Sequence, residues 1–234
     1  MIIHDVEQRS EEWYRLRAGK PTASECNRMI TTTGLVSKSL SGYAMTLACE
    51  TFAGQPVDAW EGNQWTERGR AMEDEAIRLY EFATDSTVEK IGFVTTDDGI
   101  MGCSPDGFVG DDGMIEIKCL KAERHADVIL YYGRNRRAPA DYIVQAQAQM
   151  LVCERAWCDL VFYHPILPLL VIRQAPDPHL RNNIRNVLPG LCRERDEITA
   201  ALRAQDGSVT APRRIPAPPP VAISVNLAEK PSVF

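Results

Sequence analysis

One short stretch carries residues that could cut a phosphodiester. From Cys103 to Lys121 the chain reads Cys-Ser-Pro-Asp-Gly-Phe-Val-Gly-Asp-Asp-Gly-Met-Ile-Glu-Ile-Lys-Cys-Leu-Lys. Asp106 falls in a Pro-Asp-Gly turn, where proline fixes φ and glycine tolerates positive φ. A second turn spans Gly110 to Gly113, and Met114 to Leu120 alternates as a strand. Side chains two apart on a strand share a face, so Glu116 and Lys118 point one way while Ile115, Ile117 and Cys119 point the other. Two hard carboxylates suit Mg²⁺, and a lysine beside them can orient or activate an attacking water. The bland alternative is a surface hairpin with a Glu–Lys pair. Pro-Asp-Gly followed by Ile-Glu-Ile-Lys matches the metal-dependent arrangement, and the rest of the chain must decide between the two.

Other elements must place these groups. Ser10 caps a helix over Glu11–Arg17, with acids in its first turn and Gly19 at its end. Pro21 opens a second helix toward Met29. Arg17 thus stands near a helix N-terminus bearing Thr22 and Ser24, which makes a seat for a phosphate; helix capping by Ser24 is the structural alternative. Residues 31–41 are small and polar, a flexible loop carrying Lys38. Helices are expected over Tyr43–Phe52 and Thr66–Phe82. Glu73 has Ile77 four ahead and Tyr80 seven ahead, so it lies along an apolar stripe, where a carboxylate pairs with a cation or binds metal. Val88–Thr96 and Ile100–Cys103 read as strands leading into the central hairpin.

The segment Lys121–Arg137 is basic, with Arg124, Arg134, Arg136 and Arg137 and two tyrosines, and is a candidate for phosphate contact. Pro139 opens a helix to Cys153. Gln147 has Ile143, Val144, Met150 and Leu151 around it, so it centres the buried face and needs a specific partner, in the backbone or in an active site. Trp157–His164 and Leu167–Gln174 read as strands. His179–Ala204 is helical, broken or restarted at Pro189. The composition turns proline-rich beyond Gly207, so residues 1–207 form the domain and 208–234 a tail with little core-forming material.

Composition narrows the class. Of 234 residues, 44% are hydrophobic and 25% charged, enough for an ordinary globular core. No apolar run reaches membrane-spanning length, and the N-terminus lacks the pattern of a secretory signal. Seven scattered cysteines without a Cys-x-x-Cys pair read as reduced thiols in a cytoplasm, neither a disulfide framework nor a zinc site, and weigh against an iron–sulfur cluster. A net charge of −6 disfavours a simple wrapper of nucleic acid but allows an enzyme with a local basic track.

The pieces occur in a telling order: Trp13-Tyr14-Arg15-Leu16-Arg17-Ala18-Gly19 with Thr22-Ala23-Ser24-Glu25, then Gly69-Arg70-Ala71-Met72-Glu73, Cys103-Ser104-Pro105-Asp106-Gly107, Glu116-Ile117-Lys118-Cys119 and Tyr142-Ile143-Val144-Gln145-Ala146-Gln147. This set resembles the lambda exonuclease family of phage recombination nucleases, the alkaline or YqaJ-type exonucleases within the PD-(D/E)xK superfamily. The likeness covers roughly residues 8 to 165.

The resemblance implies an α/β fold with a restriction-endonuclease-like core, a mixed sheet flanked by helices. It implies that Asp106, Glu116 and the carbonyl of Ile117 hold Mg²⁺, with Mn²⁺ able to substitute. Glu73 would serve a second ion, Lys118 the water, and Gln147 would stand beside the active site. Arg17 and Ser24 would hold a terminal 5′-phosphate. Thr22, Lys38, Trp65, Arg134, Arg136 and Arg137 are further candidate DNA contacts, with Trp65 nearest to the family's strand-separating wedge. The activity implied is 5′-to-3′ digestion of one strand of linear duplex DNA, leaving a 3′ overhang for recombination. A ring-shaped homotrimer, a single-strand annealing protein as partner and a phage-encoded enzyme in the bacterial cytoplasm complete the implication. The rivals are a sequence- or structure-specific endonuclease on the same fold and a noncatalytic DNA-binding protein. The proline-rich tail has no counterpart in the family.

Overall fold

The computed structural model describes residues 1–57 and 64–205, without the side chains of 64–71. The side chain of Trp65 and the whole 208–234 tail therefore lie outside the described residues, as does the boundary expected at 207. Strands β1 (Ile2–His4), β2 (Val88–Glu89), β3 (Phe93–Thr95), β4 (Gly102–Cys103), β5 (Gly107–Val109), β6 (Gly113–Cys119), β7 (Trp157–Tyr163) and β8 (Leu170–Gln174) form two sheets. The smaller is ordered β1-β3-β4 and the larger β2-β5-β6-β7-β8. In the larger sheet only β6 and β7 are parallel, so it is mixed. A parallel pair needs a crossover. It is supplied by helices α4 (Ala122–Asp127) and α5 (Ala140–Val152), which lie between the two strands in sequence.

The remaining helices are α1 (Glu11–Arg17), α2 (Leu40–Ala53), α3 (Gln64–Thr84) and α6 (Pro178–Gln205). Strand alternation sends each side of the sheet to a different helix layer. Ile115, Ile117, Val161 and Tyr163 pack with Ala76, Ile77 and Tyr80 of α3. Met114, Cys158, Leu160 and Phe162 pack in the main core with Val144 and Ala148 of α5. The architecture is thus an α/β core with a mixed sheet between helices. Among the described residues no helix is long and apolar enough to cross a membrane. All seven cysteines are free, although the Sγ atoms of Cys103 and Cys153 lie 3.3 Å apart.

Four local expectations are corrected. The span 88–96 is not one strand: it splits between sheets, because at Gly92 the chain passes so close to the backbone of residue 6 that an added Cβ would stand 2.1 Å from the Val6 carbonyl. Gly107 does not take positive φ; it begins β5, where a Cβ would meet Val88 Cγ1 at 2.2 Å. The segment after Pro21 is a 3₁₀ helix over Ala23–Arg28, not an α-helix. Pro189 does not break α6. Proline removes one intrahelical bond, but Leu180, Ile184 and Leu191, buried on both sides of it, hold the helix in the core.

Candidate active site

The register of the hairpin explains how Asp106 meets β6. Strand β5 ends its pairing at Gly107 opposite Ile115. The N–H of Ile117 is therefore left to the residue before β5, and it donates to Asp106 Oδ2 at 2.5 Å. The other Asp106 oxygen keeps its lone pairs for another ligand. As the alternation predicts, Glu116 and Lys118 share a face: Lys118 Nζ donates to Glu116 Oε1 at 2.7 Å.

Glu116 is only 5% exposed and is held from α5 by two glutamines one helical turn apart. Gln145 Nε2 donates to its Oε1 at 2.7 Å and Gln149 Nε2 to its Oε2 at 2.6 Å. Gln145 Oε1 also accepts from Lys118 Nζ at 3.0 Å, closing a triangle of lysine, carboxylate and amide. The expectation for Gln147 is corrected. It is buried as predicted, but its amide donates to the Ala175 carbonyl at 2.8 Å and accepts from Asp177 N at 2.7 Å, fixing the start of α6. Its partner is backbone. Gln145 and Gln149 are the glutamines of the site.

Charge is left unbalanced here. Asp106 is half-buried at the floor of a cleft of ≈ 500 Å³ that Glu73 also lines. Burial, then the charges of Glu116 and Glu73, push the Asp106 carboxyl well above the usual carboxylate range, against the opposing bond from Ile117 and the charge of Lys118. Burial also raises Glu73, with Arg9 opposing and Glu116 adding to the rise. For Lys118, burial works against the charge, but Glu116 and Asp106 outweigh it, so Nζ is held protonated above its ordinary range.

Among the described residues, no three Asp, Glu, His or Cys side chains already stand together in a metal-holding group. The donor set that fits a divalent cation is the carboxylate pair Asp106 and Glu116. It is hard oxygen, one of its oxygens faces the cleft without a protein donor, and a cation would relieve the repulsion that raises Asp106.

The predicted phosphate seat is also assembled. Arg17 lies 4.7 Å over the Trp13 ring, and its NH2 donates to Thr22 Oγ1 at 3.4 Å and Ser24 Oγ at 3.3 Å. These are long bonds, readily exchanged for a charged oxygen. Ser10 caps α1 by accepting from Trp13 N at 3.2 Å, and Trp13 Nε1 donates to Ser104 Oγ at 2.7 Å. Gly102 N donates to the Pro21 carbonyl at 3.0 Å. The seat and the turn bearing Asp106 are therefore braced to each other at two points.

Lys38 is exposed on the loop before α2. Arg134, Arg136 and Arg137 are exposed after a π-helical turn at Val128–Tyr132, and among the described residues they form no ion pair.

A family model described as the YqaJ-like viral recombinase domain matches residues 12–156. No match is found among curated proteins. Among solved structures, the alkaline exonuclease LHK-Exo from Laribacter hongkongensis is similar at 30% identity and a TM-score of 0.72, over 84% of this chain and 97% of that one. The same enzyme in complex with dAMP is similar at 29% identity, a TM-score of 0.71 and the same 84% and 97% coverage. A phage-related exonuclease from Haemophilus somnus 129PT, at 16% identity and a TM-score of 0.60 over 78% of this chain and 96% of that one, shares the fold. The chain belongs to the YqaJ-like viral recombinase domain family.

Proposed function

We propose that the protein is an end-dependent DNA exonuclease that removes 5′-mononucleotides from one strand of a linear duplex, leaving a 3′ overhang for recombination. The observation that carries this reading is the bracing of two sites: the Arg17 seat and the Asp106 turn share Trp13, Ser104 and the Pro21–Gly102 bond. An enzyme that cuts at a fixed step from a strand end needs such a fixed spacing, whereas an endonuclease does not.

Asp106 and Glu116 would hold Mg²⁺ or Mn²⁺, with the Ile117 carbonyl and, for a second ion, Glu73. When bound, the cation supplies charge neutralisation at the scissile phosphate and lowers the pKa of the attacking water. The residues do the rest. Gln145 and Gln149 fix the orientation of the Glu116 carboxylate, so that a cation need only share it with Lys118. Lys118, kept cationic, orients the water and offsets charge on the phosphoryl oxygens. Water adds to phosphorus and releases its proton to solvent, the P–O3′ bond breaks, and the leaving 3′-oxygen takes a proton from solvent. The next nucleotide then carries a new 5′-phosphate for Arg17, Thr22 and Ser24. Arg134, Arg136, Arg137 and Lys38 would contact the duplex backbone. A ring-shaped homotrimer and docking to an annealing protein would add processivity and delivery of the overhang. LHK-Exo, a structural neighbour, binds dAMP, which fits a mononucleotide product.

The test is digestion of three substrates in Mg²⁺: linear duplex with 5′-phosphate, the same with 5′-hydroxyl, and a covalently closed circle. Rapid loss of the first, slow loss of the second and survival of the third are expected; cleavage of the circle would favour an endonuclease. Arg17→Ala should slow the phosphorylated end selectively, by about 1.5–3 kcal/mol, the scale of a hydrogen bond to a charged group. Equal losses on both ends would move the phosphate seat elsewhere.

A further inference from the structure

Arg9 has no part in the reading above. It occupies the third position of a turn closed by Ser10 N–H to the Glu7 carbonyl at 3.1 Å, with φ of 72°. Positive φ at that position is normally met by glycine, and an L side chain there is strained. The other non-glycine residues with positive φ among those described are Asp85, Arg136 and Glu154. Each comes just after a helix, at Thr84, Asn135 and Val152 respectively. A left-handed residue commonly terminates a helix, so these are accounted for. Arg9 precedes a helix and has no such account. Strain retained without a structural need points to function.

The surroundings say which function. Gln8 pins the turn by donating to the Ile91 carbonyl at 2.8 Å and the Pro105 carbonyl at 3.1 Å. Arg9 is thereby fixed beside the residue preceding Asp106. It lines the cleft that holds Asp106 and Glu73, and its guanidinium comes to 3.7 Å from Glu73 Oε2. This is an ion pair longer than a hydrogen bond, so the guanidinium can turn its N–H donors to a second anionic oxygen while staying beside Glu73. Lys90, the other cation lining the cleft among the described residues, is already bound to Asp74 at 2.5 Å. A planar fork loosely paired with Glu73 and lining a cleft that holds Asp106 suits the non-bridging oxygens of a phosphate.

We propose that Arg9 is a catalytic residue that clamps the scissile phosphate from the Glu73 side of the cleft, complementing Lys118 on β6. The assignment rests on the nuclease reading.

Arg9→Gly tests it, because glycine relieves the backbone while removing the guanidinium. On 5′-phosphorylated linear duplex the variant should lose about 100-fold in kcat with little change in KM, the scale of one electrostatic donor removed. Its Tm should be no lower than wild type, and added methylguanidine should restore part of the rate. Arg9→Gly should also reduce the residual activity of Glu73→Gln further; no added loss there would mean that Arg9 acts only through Glu73. A wild-type rate in Arg9→Gly, or a Tm that falls together with activity, would overturn the assignment and leave the nuclease reading intact. A wild-type protein that cleaves no duplex at all would bring down that reading itself, and this assignment with it.

Discussion

Two buried carboxylates on neighbouring strands meet opposite fates. Asp159 on β7 is closed. Arg173 on β8 donates to both its oxygens at 2.8 Å, Tyr80 OH adds a bond to Oδ2 at 2.8 Å, and the guanidinium stacks 3.6 Å over Trp157. One cation and one hydroxyl satisfy one acid, and α3 is tied to the sheet. On β6 Glu116 pairs with Lys118, Asp106 of the preceding turn lies near enough for the two acids to repel, and Asp106 keeps an oxygen free of protein donors. Burial alone therefore does not mark a working carboxylate. Both oxygens of Glu116 also have donors, in Lys118, Gln145 and Gln149; what separates the two sites is Asp106 beside it, whose undonated oxygen and raised carboxyl leave room for a ligand the protein does not itself provide.

Breaking the two sites should separate activity from stability. Glu116→Gln should cut turnover by about 10³-fold, roughly 4 kcal/mol of transition-state stabilisation, while single-site DNA binding persists. Single-turnover digestion beside an anisotropy titration would show it, and near-normal cleavage by the variant would remove Glu116 from the metal site. Arg173→Ala should do the reverse. It leaves Asp159 buried and unpaired, at a cost of about 3 kcal/mol, the low end for such breakage because the guanidinium is itself 57% exposed. Urea melts should show that loss, with the folded fraction cutting DNA normally.

A smaller effect is expected in pH. The native Asp106 carboxyl is raised above its unfolded value. The native state then binds this proton more tightly than the unfolded chain, so stability falls as pH climbs from about 3.9 through the raised native value. In chelator, Asp106→Asn escapes that loss. Its Tm should gain on wild type by about 2–4 °C over the rise; parallel Tm curves would mean that Asp106 is not electrostatically frustrated.

Much of the site was legible because it is local. Glu116 and Lys118 need only strand alternation to share a face, and Ser10, Arg17 and Ser24 lie within one helix–turn–helix stretch. The glutamines were harder. Gln147 does centre a buried face, but α5 is buried on more than one side, and apolar neighbours could not tell which side faced Glu116. The usable signal was the pair Gln145 and Gln149, four apart and so on one side, with Gln147 about 200° around the helix from Gln145. Arg9 left no trace, because positive φ is foreshadowed in sequence only when glycine or asparagine supplies it. The split of residues 88–96 between two sheets depends on how closely Val6 approaches Gly92, a contact between segments far apart in sequence.

The central claim is that the acids on and around β6 are left unbalanced to receive a divalent cation. Titrating Mg²⁺ into DNA-free protein, with Tm as the readout at fixed pH and ionic strength, tests it most directly. Binding to the native state alone must raise Tm. Wild type should rise with saturating Mg²⁺, while Asp106→Asn should start no lower and barely respond. A wild-type Tm indifferent to Mg²⁺, or an equal rise in Asp106→Asn, would contradict the account.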